Sequence, residues 1–202
     1  MSALPVRIKT MRYLKPPLID FCYPVVEGLG DHAVEQKINQ QIIGLMYRLI
    51  AELQQPDLSM RVSGSFESKT NQRNVLSLTL WALGDFGGAH PMTYIRSLNI
   101  DGMTGTDYPL GTNFKPGSNY VDILSDLIRK QIRGRNIPLL EEFRGIRPDQ
   151  DYYVADNVLI IYFQLYEISP YAAGFPYFPI PLYQIEDIIA ENSLLQRMTG
   201  MI

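Results

Sequence analysis

The sequence predicts an α+β fold: antiparallel sheets with a long N-terminal helix and a second helix packed on them, arranged as two small subdomains in one compact unit. Three observations predict it. Apolar residues recur at steps of three and four between Asp31 and Gln54. From Ser59 to Ile100 the period changes to two, as in a half-buried strand. A second helical stripe near 119–133 is followed by strand-rich sequence from Tyr152 to Tyr166.

Val6 to Tyr13 is rich in β-favouring residues and is expected to form a strand, interrupted by Pro16 and Pro17. Leu18 to Tyr23 reads as a second strand stopped by Pro24, with Gly28 and Gly30 marking the turn after it. Asp31 is placed to cap the following helix, because its carboxylate can accept from the free N–H groups of the first turn. Val34, Ile38, Ile42, Leu45, Leu49 and Leu53 form one apolar stripe, widened by Ile43, Met46 and Ile50, which suits packing on a sheet. Gly44, in the middle, costs about 1 kcal/mol relative to alanine, and a close crossing with another element is the expected reason. Pro56 prevents continuation of the helix. A boundary near Gln54 to Ser59 divides the chain into subdomains 1–56 and 57–202.

Met60 to Lys69 is expected as a strand, Asn71 to Asn74 as a polar turn, and Val75 to Leu83 as the next strand. Leu76, Leu78, Leu80 and Ala82 fall on one face of it, and Val75, Ser77, Thr79, Trp81 and Leu83 on the other. A loop from Gly84 to Pro91 leads to a strand over Thr93 to Ile100, and Asp101-Gly102 marks a tight turn, so an antiparallel meander is expected. Ser118 is placed to cap a helix from about Asn119 to Arg133, with Gly134 as its stop. Pro138 to Phe143 reads as a short helix with proline in its first turn. Ala155-Asp156-Asn157 is a turn within the strand-rich segment, Pro170 to Pro181 a proline-aromatic loop, and Ile185, Ile188 and Ile189 suit a short closing helix.

Composition excludes several function classes. Hydrophobic residues make up 46% and charged residues 19% of the chain, enough apolar material for a core without a metal or disulfide staple. Cys22 is the only cysteine and the histidines number 2, so neither a multi-cysteine nor a histidine-rich metal site exists, and no cofactor is expected. A net charge of −3 argues against a nucleic-acid partner. The basic run Arg129, Lys130, Arg133 and Arg135 reads as a solvated helix end whose cations suit the dipole. No apolar run approaches the roughly 20 residues that span a bilayer, and Met1 to Thr10 lacks the apolar segment of an export signal, so no membrane insertion is expected. Phosphate-loop, dinucleotide and nucleophile-elbow signatures are missing.

Three places carry unusual residues. In Gly84-Asp85-Phe86-Gly87-Gly88-Ala89-His90-Pro91, the glycines Gly87 and Gly88 permit special backbone conformations or close approach of another chain. Pro91 extends His90, which can serve as base, ligand or hydrogen-bonding anchor. In the second place, Leu159, Ile161, Phe163 and Leu165 alternate on one strand face and Glu167 continues it. A carboxylate there needs a dedicated partner, with His90, Arg96 and backbone N–H groups as candidates. In the third, Tyr171, Phe175, Tyr177, Phe178 and Tyr183 are interleaved with prolines. Such rings either offer a pre-ordered contact surface or plug the sheet.

The runs Gly87-Gly88-Ala89-His90-Pro91, Asn99-Ile100-Asp101 with Thr104-Gly105, Tyr166-Glu167-Ile168-Ser169-Pro170-Tyr171-Ala172-Ala173-Gly174 and Pro179-Ile180-Pro181 resemble domain of unknown function 3298. Tyr23-Pro24-Val25-Val26-Glu27-Gly28-Leu29, with Val34 and Ile38-Asn39 after it, resembles the usual N-terminal companion, domain of unknown function 4163. The resemblance implies an α+β fold of two small, packed subdomains, common in spore-forming and related bacteria. Family members include the extracytoplasmic part of a lysozyme-sensing anti-sigma factor and the non-catalytic region of a peptidoglycan deacetylase. This chain shows neither a sigma-binding segment nor a deacetylase metal motif. The resemblance therefore implies a domain type that binds proteins or wall material, often at the cell envelope.

The leading expectation is a non-catalytic binding or sensing module for a protein or glycan, with Tyr171, Phe175, Tyr177 and Phe178 as contact surface and His90, Glu167, Gly87 and Gly88 fixing the loops. One alternative is a hydrolase of wall or small-molecule substrates, with His90 as base and Glu167 or Asp85 orienting it. Another is a cytoplasmic structural or sporulation-associated protein that self-associates. Compartment and oligomeric state carry no signal in the sequence.

Overall fold

The computed structural model describes residues 5–16, 18–54, 60–88 and 90–200. Pro17, Pro56 and Ala89, named above, lie outside them. The chain divides into two compact units, 1–107 and 108–202.

The first unit is a six-stranded sheet with one helix on it. Its strands are β1 (Arg7–Lys15), β2 (Ile19–Glu27), β3 (Arg61–Gln72), β4 (Val75–Asp85), β5 (Met92–Asp101) and β6 (Thr106–Asp107), neighbouring one another in chain order. The helix α1 (His32–Leu53) lies between β2 and β3. It is therefore not N-terminal to the sheet. It also makes the sheet mixed, where antiparallel pairing is expected from the sequence: a helical crossover returns the chain to the end it left, so β2 and β3 pair in parallel. This crossover is why the units do not divide at 56/57. The segments on either side of that point are adjacent strands of one sheet.

Asp31 caps α1, accepting from the N–H groups of Ala33 at 2.8 Å and Val34 at 3.2 Å. The expected stripe packs inward: Ile38, Ile42, Leu45, Met46, Leu49, Ile50 and Leu53 are buried with Phe21, Val62, Leu76, Leu78, Leu80 and Ala82 of the sheet. Gly44 sits on the opposite, exposed side, and a Cβ there meets nothing within 4 Å. Among the described residues no close crossing explains it. The close approach lies at Gly64 instead, where a Cβ would fall 2.2 Å from the ring of Phe21 on the neighbouring strand.

β2 runs through Pro24 rather than stopping at it, because its ladder with β3 ends at Phe21 and Pro24 leaves no donor missing on that side. The β3–β4 hairpin closes through Arg73 and Asn74, both at positive φ (51° and 58°), the signature of a two-residue turn matched to strand twist. The meander β3–β4–β5–β6 is antiparallel throughout, as expected. Its last turn rests on α1: Lys37 donates to the Thr104 carbonyl at 3.0 Å and Gln41 to the Gly105 carbonyl at 2.7 Å. Gly105 has φ +64°, and a Cβ there would lie 3.2 Å from the Val34 carbonyl, so the Thr104-Gly105 run is a seat for the helix.

The second unit holds α2 (Tyr120–Arg135), an antiparallel sheet of β7 (Tyr152–Ala155), β8 (Val158–Tyr162) and β9 (Tyr177–Pro181), and the short helix α3 (Leu194–Met198). α2 passes through Gly134 and ends at Asn136, which takes the left-handed conformation (φ 53°) that glycine usually supplies. Ser118 does not cap it; its hydroxyl is buried with no hydrogen-bond partner among the described residues. Residues 138–143 form no helix: the Leu140 N–H is engaged by the Ile168 carbonyl at 2.9 Å. Ile185, Ile188 and Ile189 fall in and beside single 3-10 turns, and the closing helix comes later, at α3.

β9 is an edge strand, and its exposed side is closed in two ways. Pro179 and Pro181 have no N–H to offer. The carbonyls of Tyr177 and Pro179 accept from Arg135 at 2.7 Å and Gln131 at 2.8 Å, both on α2. The basic end of α2 is thus partly structural. Arg135 also lies over the Phe178 ring at 5.6 Å, and Arg129 over Phe143 at 5.8 Å.

Candidate functional site

In the second unit, β8 ends at Tyr162 and the chain turns back through Gln164 to Glu167. Glu167 therefore does not continue an apolar strand face, as the alternation predicts; it closes a turn. One carboxylate oxygen accepts from the Gln164 N–H at 2.7 Å. The other accepts from Gln150 Nε2 at 3.2 Å and pairs with the Arg147 guanidinium. Gln150 is buried and also donates to the Tyr162 carbonyl at 3.0 Å, while Gln164 donates to Asp151 at 3.0 Å. Burial opposes the charge on Arg147, but the hydrogen bond and the negative charge of Glu167, with Asp149 and Asp151, raise its pKa above the ordinary arginine value.

This network holds Tyr166 at φ 64°, a conformation that a residue with a Cβ adopts only under constraint. The Tyr166 side chain is 45% exposed, and its ring lies 5.7 Å from that of Tyr171. Beside it opens a cleft of about 420 Å³ lined by Leu140, Glu141, Glu142, Arg144, Tyr166 and Ile168, among others. Glu141 and Glu142 are exposed, so the rim carries more negative than positive charge.

The aromatic run divides. Tyr171 and Phe175 are half-buried and Tyr183 is 73% exposed. The half-buried Tyr177 packs its ring among Tyr153 and Tyr162. Phe178 is fully buried, edge-on to Phe163 at 5.6 Å, and so offers no contact surface; its neighbours in β9 alternate outward, and it points into the core.

In the first unit, the β4–β5 loop is held by the Asp85 carboxylate, which accepts from the Gly87 N–H at 2.9 Å. Gly87 has φ +72°, which accounts for its identity. A Cβ at Gly87 or Gly88 meets nothing within 4 Å among the described residues. His90 is exposed. It lies in the unit 1–107 and Glu167 in the unit 108–202. Arg96, a candidate partner for Glu167, pairs instead with Glu52 at 2.8 Å. Among the described residues no cluster of three or more histidine, cysteine or acidic side chains can hold a metal.

Sequence reasoning missed Arg147, Gln150 and the conformation of Tyr166. Tyr166 falls within the Tyr-Glu-Ile run and was within reach of that signal. Arg147 and Gln150 lie in irregular chain with no periodicity to single them out.

The model of the family "Protein of unknown function (DUF3298)" matches residues 114–183, which include Glu167, Arg147 and the Tyr166 turn. The chain is 26% identical over 188 residues to the anti-sigma-V factor RsiV of Bacillus subtilis, covering 85% of this chain and 65% of that protein. It is 28% identical over 103 residues to an esterase of Mycobacterium tuberculosis, covering 48% of this chain and 45% of the esterase. The chain thus spans about two thirds and about half the lengths of these relatives. Two crystal structures share the fold. A DUF3298 family member from Bacteroides fragilis has a TM-score of 0.74 at 14% identity, covering 96% of this chain and 97% of that one. A DUF3298 family protein from Pseudomonas aeruginosa has a TM-score of 0.65 at 14% identity, covering 94% and 96%. Residues 114–183, which carry the Tyr166 turn and the cleft beside it, are thus the part of the chain that the DUF3298 family model matches.

Proposed function

We propose that this chain is a non-catalytic binding or sensing module, and that its second unit takes a protein ligand at the Tyr166 turn. One observation carries the reading. Both oxygens of Glu167 are already engaged, by a backbone N–H, by Gln150 and by Arg147. A carboxylate that accepts three hydrogen bonds from its own fold holds a loop in place; the orienting role that the hydrolase reading gives it would need an acceptor aimed at His90 instead. What the turn presents is a constrained, half-exposed tyrosine beside an acidic, partly apolar cleft. That surface suits a basic protein offering an apolar side chain, and lysozyme, implied by the family resemblance, has this chemistry. Similarity to an anti-sigma factor over most of the chain supports a sensing role, and the family resemblance supports a setting at the cell envelope.

Calorimetric titration of the full chain with lysozyme and with soluble wall fragments tests the reading. Binding of lysozyme that weakens with added salt, and is lost when Glu141 and Glu142 are both changed to Gln, is the expected result. Absence of heat with either ligand overturns it. Similarity to an esterase over 103 residues favours a second reading, hydrolysis of an ester substrate. Turnover of a chromogenic ester that survives removal of contaminating hydrolases and disappears on His90→Ala would replace the binding reading with that one.

A further inference from the structure

We infer that the outer edge of β1 is a docking strand for an acidic, extended segment of a partner protein. β1 is the terminal strand of the first unit's sheet. Which of its backbone groups face outward follows from β2. The N–H and C=O of Val26 are both taken by the Asn39 side chain, at 2.8 and 2.9 Å, and Pro24 has no N–H. Val26 and Pro24 thus turn away from β1, and their register partners Ile8 and Thr10 turn away from β2. By alternation, Arg12 and Leu14 do the same. Just before the strand, the Asn71 side chain serves the N–H and C=O of Val6 at 2.9 and 2.7 Å. Thr10, Arg12 and Leu14 are exposed and carry no such partner among the described residues.

The charge on this strand selects the occupant. Arg7, Lys9, Arg12 and Lys15 fall within β1, which contains no acidic residue, in a chain whose net charge is −3. Across the ladder, Glu27 is shared by Arg7 and Lys9, and Asp20 pairs with Arg12. Four cations thus face two carboxylates. Pairing of β1 with β1 of a second copy would set cation against cation, which disfavours the pair. An acidic strand meets the opposite field. A second observation lies at the end of β1: a cleft of about 400 Å³ lined by Leu14, Leu18, Val62 and Leu83, among others, with Leu14 53% and Leu18 41% exposed. An added strand running along β1 would end beside Leu14, the β1 residue that lines this cleft. The occupant is therefore an extended segment with alternating carboxylates and an apolar residue at one end. Main-chain hydrogen bonds supply affinity, and the cations and cleft supply selection.

The probe is a fluorescein-labelled peptide of alternating glutamate and threonine ending in leucine, with a lysine-for-glutamate peptide as control, titrated against the full chain by fluorescence anisotropy. The glutamate peptide is expected to bind, and to weaken as salt rises from about 50 to about 500 mM, where screening is short-ranged. It is expected to slow amide exchange at Thr10, Arg12 and Leu14. Thr10→Pro removes one outward N–H without touching the ladder to β2, whereas Thr10→Val keeps it. The proline variant is expected to bind about five- to tenfold more weakly than the valine variant, the worth of one backbone hydrogen bond. A Lys9→Glu, Lys15→Glu double variant is expected to lose binding and its salt dependence, and it decides the matter if the proline variant does not fold. Equal affinity for both peptides, equal affinity of the proline and valine variants, no binding at about 1 mM peptide, or self-association through β1 would each overturn the inference.

Discussion

The Asn39 side chain exchanges two hydrogen bonds with the backbone of Val26, accepting from its N–H at 2.8 Å and donating to its carbonyl at 2.9 Å. A helix side chain thereby stands in for a neighbouring strand at the point where β2 has parted from β3. Asn39→Ala leaves both backbone groups without a partner beside a fully buried Val26 side chain. The expected loss is about 2 kcal/mol, since an unmet buried polar group costs more than the hydrogen bond contributes net. Urea denaturation reads it as a lower midpoint with an unchanged slope. An unchanged midpoint would show that water replaces the amide at no loss.

Two glycines are expected to respond in opposite directions to the same substitution. Gly44 is exposed, helical and open around its Cα, so Gly44→Ala should stabilise the chain by about 1 kcal/mol, the difference in helix propensity. Gly64 lies beneath the buried Phe21 ring, and its added Cβ would have to displace that ring. Gly64→Ala should destabilise by about 1–3 kcal/mol, the usual range for overpacking. Thermal denaturation of the two variants beside the parent checks both signs.

The acid limb of stability should contain a contribution from Asp20. The Arg12 hydrogen bond holds the Asp20 carboxyl below the usual carboxylate value, against the smaller opposing effect of burial, with the charge of Arg12 adding to the lowering. A pKa lowered in the folded state stabilises it above the unfolded-state value, and that stabilisation disappears as pH falls through the folded-state value. The effect is confined to acid pH. Arg12→Met should return the Asp20 titration, followed by carboxyl-carbon NMR, to the usual carboxylate range, and should leave stability at neutral pH little changed because the pair is exposed.

The parts of the fold that were legible in sequence are those governed by period. The stripe from Ile38 to Leu53 and the alternation from Leu76 to Ala82 each face one environment along their length, so spacing alone identified the buried set. What escaped was decided by partners distant in sequence. Parallel pairing of β2 with β3 depends on where α1 returns the chain, which no local pattern encodes. Pro24 and Gly134 were expected to end their elements on local grounds, yet β2 needs no donor at 24 on its β3 side, and Asn136 ends α2 two residues later. In the candidate site, Glu167 was found from its chemistry, because a carboxylate in apolar surroundings demands a partner. Its partner Arg147 was not found, since it sits 20 residues away in irregular chain. Phe178 was assigned to the surface with the rings around it, and only the strand alternation of β9 separates it from the half-buried Tyr177.

The left-handed Tyr166 offers a test that separates presentation from packing. Tyr166→Asn places there a residue that adopts positive φ with less strain, a gain of about 1 kcal/mol. It also removes the ring contact with Tyr171, a loss of similar size, about 0.5–1.5 kcal/mol. Stability should therefore change little, and the Glu167 network beneath should persist, because its hydrogen bonds at residues 164 and 150 use none of the Tyr166 side chain. If the turn exists to present that ring, the variant should bind lysozyme at least tenfold more weakly while its urea midpoint stays near the parent's, a difference of about 1.4 kcal/mol in binding alone. Arg147→Met supplies the contrast: it loosens the hold on Glu167, so binding and midpoint should fall together. A Tyr166→Asn variant that loses stability and retains binding would make the strained tyrosine a packing residue and move the ligand surface elsewhere.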